Sequence, residues 1–315
     1  MNVPSRARFL AGTTSAVLAA AAPLRARAQS PLPHLRVGVT GTDVFAEAYY
    51  AAELGYFQKA GLDVDVRTFT SGAVAANAVV GGSLDIGVTT PLLLANGLLR
   101  GIPFVAIAAG PLNTPKSPQS LILVSKSGPI HGPKDLIGKT VAVNVLKTVL
   151  ELSLVAWLDK GGVKPSAVQT VEMNFSAEPA AVERGEIAAA VVVEPALTTA
   201  LKGGNVRSVG DPNADIAPRF LAGAWFTTRP FAQKNGEAMK RFAEAIYQAG
   251  RWANGHPNDS AQILAKYTKI DPALARSMMR ATYAEQLQPS DIQPLLDAAV
   301  GYGFLPKPVK AAELL

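Results

Sequence analysis

The feature that most limits how this chain can fold is a regular alternation of short β-rich runs with helical patterns, which begins near residue 35. In its first part, segments 35–40, 62–66, 84–88 and 104–108 have strand patterns, and 43–60, 72–80 and 91–99 have helical spacing. Strands that alternate with helices in this way predict a parallel sheet covered by helices.

A second series of the same kind follows. Its predicted strands are 121–124, 140–143, 168–173, 187–193 and 206–209, and its predicted helices are 148–160, 177–184 and 195–201. The run 187–193 is apolar throughout, which is typical of a strand buried on both faces. Beyond it we predict a strand at 224–228 and helices at 230–254, 259–267, 272–283 and 289–302.

The N-terminal segment has the pattern of a secretory signal peptide. Residues 1–28 hold four basic side chains and no Lys, Asp or Glu, and an Ala-rich apolar stretch separates the Arg pairs: Arg6, Arg8, Arg25 and Arg27. A small-x-small cleavage pattern ends at Ala28, so we predict cleavage there and an exported protein. No Cys follows, which excludes a lipoprotein anchor. Sec and twin-arginine export both remain open, and the alternative is an ordinary amphipathic N-terminal helix.

Charge and cysteine content exclude several functions. The net charge is +6, from 30 basic and 24 acidic residues, and removal of the four leader arginines leaves 26 against 24, a net of +2. That balance gives no support to a nucleic-acid partner. The absence of Cys excludes disulfides, thiolate metal sites and a cysteine nucleophile.

Recognisable catalytic motifs are also missing. The histidines His34, His131 and His256 are far apart in sequence, and we interpret them as surface or structural residues. The chain has no H-E-x-x-H, no G-x-S-x-G, no Walker A motif and no G-x-G-x-x-G after a strand. We therefore predict no catalytic residue, no metal and no cofactor.

Short polar loops follow the predicted strands instead. In open parallel sheets, ligands bind at the carboxyl ends of the strands, beside helix N-termini. We therefore predict a ligand site formed by Gly41, Thr42, Asp43, Phe45, Ser71, Gly72, Thr89, Thr90, Asn144, Thr148, Asn174 and Glu194. The alternative for each polar residue is that it caps the following helix and binds nothing.

Four segments carry a family resemblance. E-L-G-Y-F-Q-K-A-G-L-D-V at 53–64, G-S-L-D-I-G at 82–87, D-L-I-G-K-T-V-A-V at 135–143 and Glu194-Pro195 occur in that order. Together they resemble periplasmic ABC-transporter substrate-binding proteins of the nitrate/sulfonate/taurine type, which include aliphatic-sulfonate and thiamine-pyrimidine-precursor binders. The resemblance covers the whole mature chain.

The resemblance implies an α/β, two-lobed periplasmic-binding-protein fold of the Venus-flytrap kind, each lobe a mostly parallel, helix-covered sheet. Segments 35–112 and 225–315 would form one lobe, 118–220 the other, and crossovers near 113–120 and 218–226 a two-strand hinge. It further implies a monomer that closes on a small molecule and delivers it to a membrane permease, without catalysing a reaction.

Departures from the family pattern bear on the ligand. Segment 144–150 is bulkier than the Gly/Ser-rich turn of oxyanion binders, Ala188 stands where Asp is frequent, and Val193 replaces an aromatic residue. These differences favour an organic sulfonate or carboxylate with an apolar or aromatic body over nitrate. Lys147 is a further candidate, as an anion partner or a solvated surface side chain. Trp225 either stacks on the ligand or lies in the core.

Two other functions remain open. An exported module of this kind can feed a sensor instead of a permease, and the sequence does not separate the two. The family also includes enzymes of thiamine-pyrimidine synthesis, which rely on a Cys-rich motif that this chain lacks.

Overall fold

The computed structural model describes residues 33–315. The predicted signal peptide at 1–28 lies outside them. Within the described part, no helix is both long and apolar enough to cross a membrane.

The strands and helices follow one another as the sequence patterns predict, with a few differences. The strands are β1 His34–Thr40, β2 Asp63–Phe69, β3 Ile86–Thr89, β4 Phe104–Ala109, β5 Pro111–Asn113, β6 Leu121–Ser125, β7 Thr140–Val143, β8 Gln169–Glu172, β9 Ala189–Val192, β10 Val206–Gly210, β11 Phe220–Leu221, β12 Ala224–Thr228 and β13 Thr282–Tyr283. The α-helices are α1 Glu47–Glu53, α2 Tyr56–Lys59, α3 Gly72–Val80, α4 Pro91–Leu99, α5 Val149–Lys160, α6 Glu178–Glu183, α7 Ala196–Gly203, α8 Arg229–Lys234, α9 Gly236–Gly255, α10 Pro257–Thr268, α11 Pro272–Ser277 and α12 Pro289–Gly301.

Two five-stranded sheets organise these elements. The first has the order β2-β1-β3-β12-β4, and the second has the order β10-β6-β9-β7-β8. In the first, β12 runs antiparallel to both neighbours while the other four strands share one direction. In the second, β6 is the strand that runs against the rest. The predicted α/β class with mostly parallel, helix-covered sheets is therefore confirmed.

A small antiparallel sheet of order β11-β5-β13 was not predicted. Its strands have two or three residues, which is too short for an alternating pattern to show in the sequence. One consequence is a correction: the predicted helix at 272–283 ends at Ser277, and Thr282–Tyr283 is a strand.

Two long predicted helices are also interrupted. Segment 43–60 consists of a 3-10 turn, Asp43–Phe45, followed by α1 and α2. Gly55 separates the two α-helices, because its φ of 69° lies in the left-handed region that glycine adopts readily. Segment 230–254 is divided at Asn235 into α8 and α9.

Strand β9 shows why the second sheet needs helices on both faces. Ala189 and Val191 pack into one buried cluster together with residues of α5. Ala190 and Val192 point to the opposite face and pack with residues of α6 and α7. Because side chains alternate across a strand, an uninterrupted apolar run must have apolar neighbours on both sides. The predicted double burial of this strand is confirmed.

Candidate functional site

A cavity of about 430 Å³ lies among the carboxyl ends of β1, β2 and β3, the loop that leads into α5, and the segments that connect the two sheets. Its polar lining is made of hydroxyl and amide side chains: Thr40, Thr42, Thr68, Thr70, Ser71, Thr89, Thr90, Gln119, Asn144, Thr148 and Asn213. Its apolar lining includes the aromatic rings of Phe45, Phe69 and Phe175. No lining residue is charged.

Two helices of the first sheet begin at the cavity wall. Ser71 precedes α3, and its Oγ accepts a hydrogen bond from the Val74 N–H at 3.3 Å. Thr90 precedes α4, and its Oγ1 accepts from the Leu93 N–H at the same distance. Both residues are therefore N-caps, as the alternative interpretation held.

A hydroxyl group that caps a helix can still form a hydrogen bond with a ligand. A hydroxyl oxygen that accepts from a backbone N–H still has its own proton to donate. The Ser71 and Thr90 hydroxyls line the cavity and can donate to a bound oxygen there. The first N–H groups of a helix have no partner within it, so the N-terminus carries a partial positive charge. Capping and ligand binding are thus compatible at both positions.

A third helix begins on the opposite wall. Thr148 precedes α5, and its hydroxyl donates to the Val145 carbonyl at 2.7 Å instead of capping the helix. Thr148, Val149 and Leu150 all line the cavity. The start of α5 therefore offers backbone N–H groups and apolar side chains to the same space.

Of the fourteen predicted ligand residues, nine line the cavity. These are Gly41, Thr42, Phe45, Ser71, Gly72, Thr89, Thr90, Asn144 and Thr148. Asp43, Lys147, Asn174, Glu194 and Trp225 do not line it. Lys147 is exposed, and its Nζ lies 5.3 Å from the centre of the Phe304 ring. Asn174 is an exposed loop residue next to Phe175.

Asp43 is buried beside the cavity in an ion pair. Its Oδ1 accepts from Arg280 Nη2 at 2.6 Å and Nε at 2.9 Å, and its Oδ2 accepts from the Ala281 N–H at 2.6 Å. Burial lowers the pKa of Arg280, but the charge and hydrogen bonds of Asp43, together with the nearby Tyr50 and Tyr283, raise it by more, so the net pKa is raised. Asp43 therefore holds the loop that follows β1 in place.

Trp225 lies in the core with none of its surface exposed, which was one of the two sequence interpretations. Its indole N–H donates to Glu47 Oε1 at 3.4 Å. The other Glu47 oxygen, Oε2, has no hydrogen-bond partner within residues 33–315. Burial raises the pKa of Glu47 to about 8, so this carboxyl holds its proton at neutral pH.

Glu194 is also buried. Its Oε1 accepts from the Thr198 hydroxyl at 2.7 Å and the Met279 N–H at 3.0 Å, and its Oε2 accepts from the Thr198 N–H at 3.0 Å. All of these partners are protein groups. The side chain is placed for a structural role beside the cavity.

Several lining residues were not predicted. Thr68 and Thr70 were missed because β2 extends to Phe69, three residues beyond the predicted strand end. Gln119 and Asn213 lie on the segments between the sheets, where no periodic pattern exists. Phe175 lies in the same loop as the predicted ligand residue Asn174. An aromatic residue in this polar loop was the feature from which it could have been predicted.

Gly72 permits a close approach between α3 and β3. A Cβ added at this position would lie 2.6 Å from Thr89 Oγ1 and 3.0 Å from Thr89 Cβ. We expect Gly72→Ala to lower the free energy of unfolding by about 1–2 kcal/mol, because the start of α3 and the end of β3 must move apart to make room for the added methyl group. Urea unfolding measures this change.

The matched control is Gly236→Ala at the first position of α9, where an added Cβ meets nothing within 4 Å. We expect this control to be neutral or slightly stabilising. A Gly72→Ala protein as stable as the Gly236→Ala protein would contradict the predicted clash.

Comparisons with known proteins show similarity to periplasmic binding proteins. The taurine-binding periplasmic protein of Escherichia coli K12 is 32% identical over 206 residues, which cover 63% of this chain and 60% of that protein. The periplasmic aliphatic sulphonate binding protein SsuA of E. coli has a TM-score of 0.75 at 22% identity, covering 91% of this chain and 92% of that chain. The nitrate-binding protein NrtA of Synechocystis PCC 6803 has a TM-score of 0.72 at 17% identity, covering 89% and 84%.

The structural likenesses confirm the predicted periplasmic-binding-protein fold. The sequence profile described as "NMT1/THI5 like" matches residues 42–260, which is more than half of the chain. The resemblance found from the sequence motifs is thereby confirmed, and the chain belongs to the NMT1/THI5-like family.

Proposed function

We propose that this protein is the solute-binding receptor of an ABC uptake system. It captures a small organic anion, a sulfonate or carboxylate with an apolar or aromatic body, and delivers it to a membrane permease. The protein is exported, with cleavage after Ala28. Segments 35–112 and 225–315 form one lobe, 118–220 form the other, and the connecting segments act as the hinge.

One observation carries this proposal: three helices begin at an uncharged cavity whose lining also includes three aromatic rings. The N-termini of α3, α4 and α5 supply N–H groups and partial positive charge, which suit an anionic head. Phe45, Phe69 and Phe175 supply a surface that suits an apolar body. A volume of about 430 Å³ also exceeds what a bare inorganic anion fills.

The same lining supports binding without catalysis. The residues that line the cavity include no His, Asp, Glu, Lys, Arg or Tyr. A hydroxyl nucleophile needs an adjacent base, and general acid–base catalysis needs a titratable group near neutrality. Incubation of the protein with a bound probe should therefore return the probe unchanged.

Three probes separate the contributions of head and body. Benzenesulfonate carries both, benzenesulfonamide keeps the body without the charge, and inorganic sulfate keeps the charge without the body. A ligand that binds only the folded state stabilises it by about 2.7 kcal/mol at a concentration of 100 Kd. We expect benzenesulfonate to raise the Tm more than either of the other two.

Benzenesulfonamide tests the need for an anionic head, and sulfate tests the contribution of the aromatic body. Equal shifts from benzenesulfonate and benzenesulfonamide would show that the cavity does not select an anion. Equal shifts from benzenesulfonate and sulfate would show that the aromatic wall contributes nothing. Aromatic carboxylates, pyrimidines and nitrate extend the comparison to the other ligands of the family.

A further inference from the structure

Residues 278–283, which we call the strap, follow α11 and include β13. The strap lies where the two large sheets meet. Met278 packs into the buried cluster that contains residues of β1, α1 and α9. Its neighbour Met279 packs against the cluster that contains Val192 of β9 and Leu197 of α7. Two consecutive side chains thus belong to the cores of different sheets.

The strap is hydrogen-bonded to the half of the molecule that contains the second sheet. Glu194 is the second residue after β9, and its Oε1 accepts the Met279 backbone N–H at 3.0 Å. The same carboxylate binds the N–H and hydroxyl of Thr198, in the first turn of α7. The carboxylate is therefore fixed to the second-sheet half and reaches from there to the strap.

The strap is also tied to the loop that lines the cavity. Arg280, next to Met279, makes the buried ion pair with Asp43, which directly follows Thr42 on the cavity wall. The Ser117 hydroxyl donates to the Arg280 carbonyl at 3.0 Å and accepts from the Thr282 N–H at 3.1 Å. Ser117 lies on a segment between the sheets. The four consecutive strap residues 279–282 therefore contact the second-sheet half, the cavity loop and a connecting segment.

We propose that the Glu194–Met279 hydrogen bond is a latch that holds the two halves together, and that Glu194 is a positioning residue for ligand retention. Glu194 does not line the cavity; it acts through the strap and Asp43 on the loop that does. The bond exists only while the second-sheet half and the strap are in contact. This inference rests on the proposed function, in which separation of the halves releases the ligand.

The test uses two pairs of variants. Glu194→Ala removes the acceptor, and its control Thr198→Val removes another partner of the same carboxylate but leaves the bond to Met279. Met279→Pro removes the N–H donor, and its control Met279→Ala keeps that donor while shortening the side chain. Met278 has φ −68° and ψ 152°, the extended conformation that a residue before proline adopts.

Two measurements report the latch. The first is the affinity and dissociation rate of benzenesulfonate. Loss of a hydrogen bond to a charged group should lower the affinity about tenfold in Glu194→Ala and Met279→Pro. The second is the distance between spin labels at Val80→Cys and Ile137→Cys, measured without ligand. The parent positions are 52% and 56% exposed, and the sequence has no other Cys that would react.

We expect Glu194→Ala to shift the label distances toward a more open distribution than Thr198→Val does, and Met279→Pro to shift them further than Met279→Ala does. The latch is overturned if Glu194→Ala behaves as Thr198→Val does and Met279→Pro behaves as Met279→Ala does. If benzenesulfonate does not bind the parent protein, the proposed ligand class fails, while the label distances still decide for or against the latch.

Discussion

Asp43→Ala is expected to destabilise this protein by about 3–5 kcal/mol, because it leaves the buried Arg280 guanidinium without its partner. The Arg280 side chain is 14% exposed and that of Asp43 is 1% exposed, so water compensates for little of the lost interaction. The substitution also removes the acceptor for the Ala281 N–H. For a chain of this size, we expect the Tm to fall by about 10 °C.

The control is the exposed ion pair between Arg241 and Glu237 on α9. Its side chains are 42% and 71% exposed, and Glu237→Ala should cost less than about 0.5 kcal/mol. Adding Arg280→Met to Asp43→Ala should recover part of the lost stability, since it removes the unpaired buried charge. A loss from Asp43→Ala no larger than that from Glu237→Ala would contradict this account of the loop.

Local patterns explain what the sequence predicted well. The bounds of α3 and α4 agree with the predicted 72–80 and 91–99, because their start signals are short-range. A Ser or Thr cap with a small residue or Pro after it satisfies the first backbone donors within one turn. The same short range places Ser71, Thr90 and Thr148 at the cavity, since each lies where a strand-to-helix loop ends.

Long-range pairing explains what the sequence could not predict. Asp43 and Arg280 are 237 residues apart, and a single sequence carries no signal that one neutralises the other. An acidic residue at the start of a helical segment therefore looked like a ligand contact. Glu194 does not line the cavity, and its partner Met279 is 85 residues away, so the sequence carries no signal of that contact either.

Strand alternation decides the place of Trp225. Ala224 and Phe226 pack on one face of the first sheet, and Trp225 packs on the other, beside Phe242 of α9. The period of two is visible in the sequence, but it does not say which face meets the ligand. The direction of Lys147 was equally hidden, because its φ of 59° turns the backbone at this residue.

Two buried carboxyl groups should make this protein less stable as the pH rises toward 8. Glu178, at the start of α6, has none of its surface exposed, and neither of its carboxylate oxygens has a partner within residues 33–315. Burial raises the pKa of Glu178 to about 8, and burial also raises the pKa of Glu47 to about 8. The charge of Asp43 also raises the pKa of Glu47, and Tyr50 and Tyr283 lie near Glu47.

The direction follows from proton linkage. An unfolded Glu titrates near pH 4.5, so between pH 4.5 and 8 the folded protein holds protons that the unfolded chain has released. Stability is therefore highest at the acidic end of this window, falls as the pH rises through it, and levels off above pH 8. Each carboxyl contributes up to about 4 kcal/mol of loss between pH 5 and 8.

Glu178→Gln removes one of the two titrating carboxyl groups, so the free energy of unfolding should fall less steeply as the pH rises. We expect its free energy of unfolding in urea to be close to that of the parent protein at pH 5 and clearly higher at pH 8. Glu183→Gln on the same helix is the matched control, since this side chain is exposed. Glu47→Gln should act like Glu178→Gln, because the glutamine carbonyl can still accept the Trp225 N–H. Curves for Glu178→Gln that run parallel to the parent protein from pH 5 to 9 would mean that the buried carboxyl is ionised in the folded state.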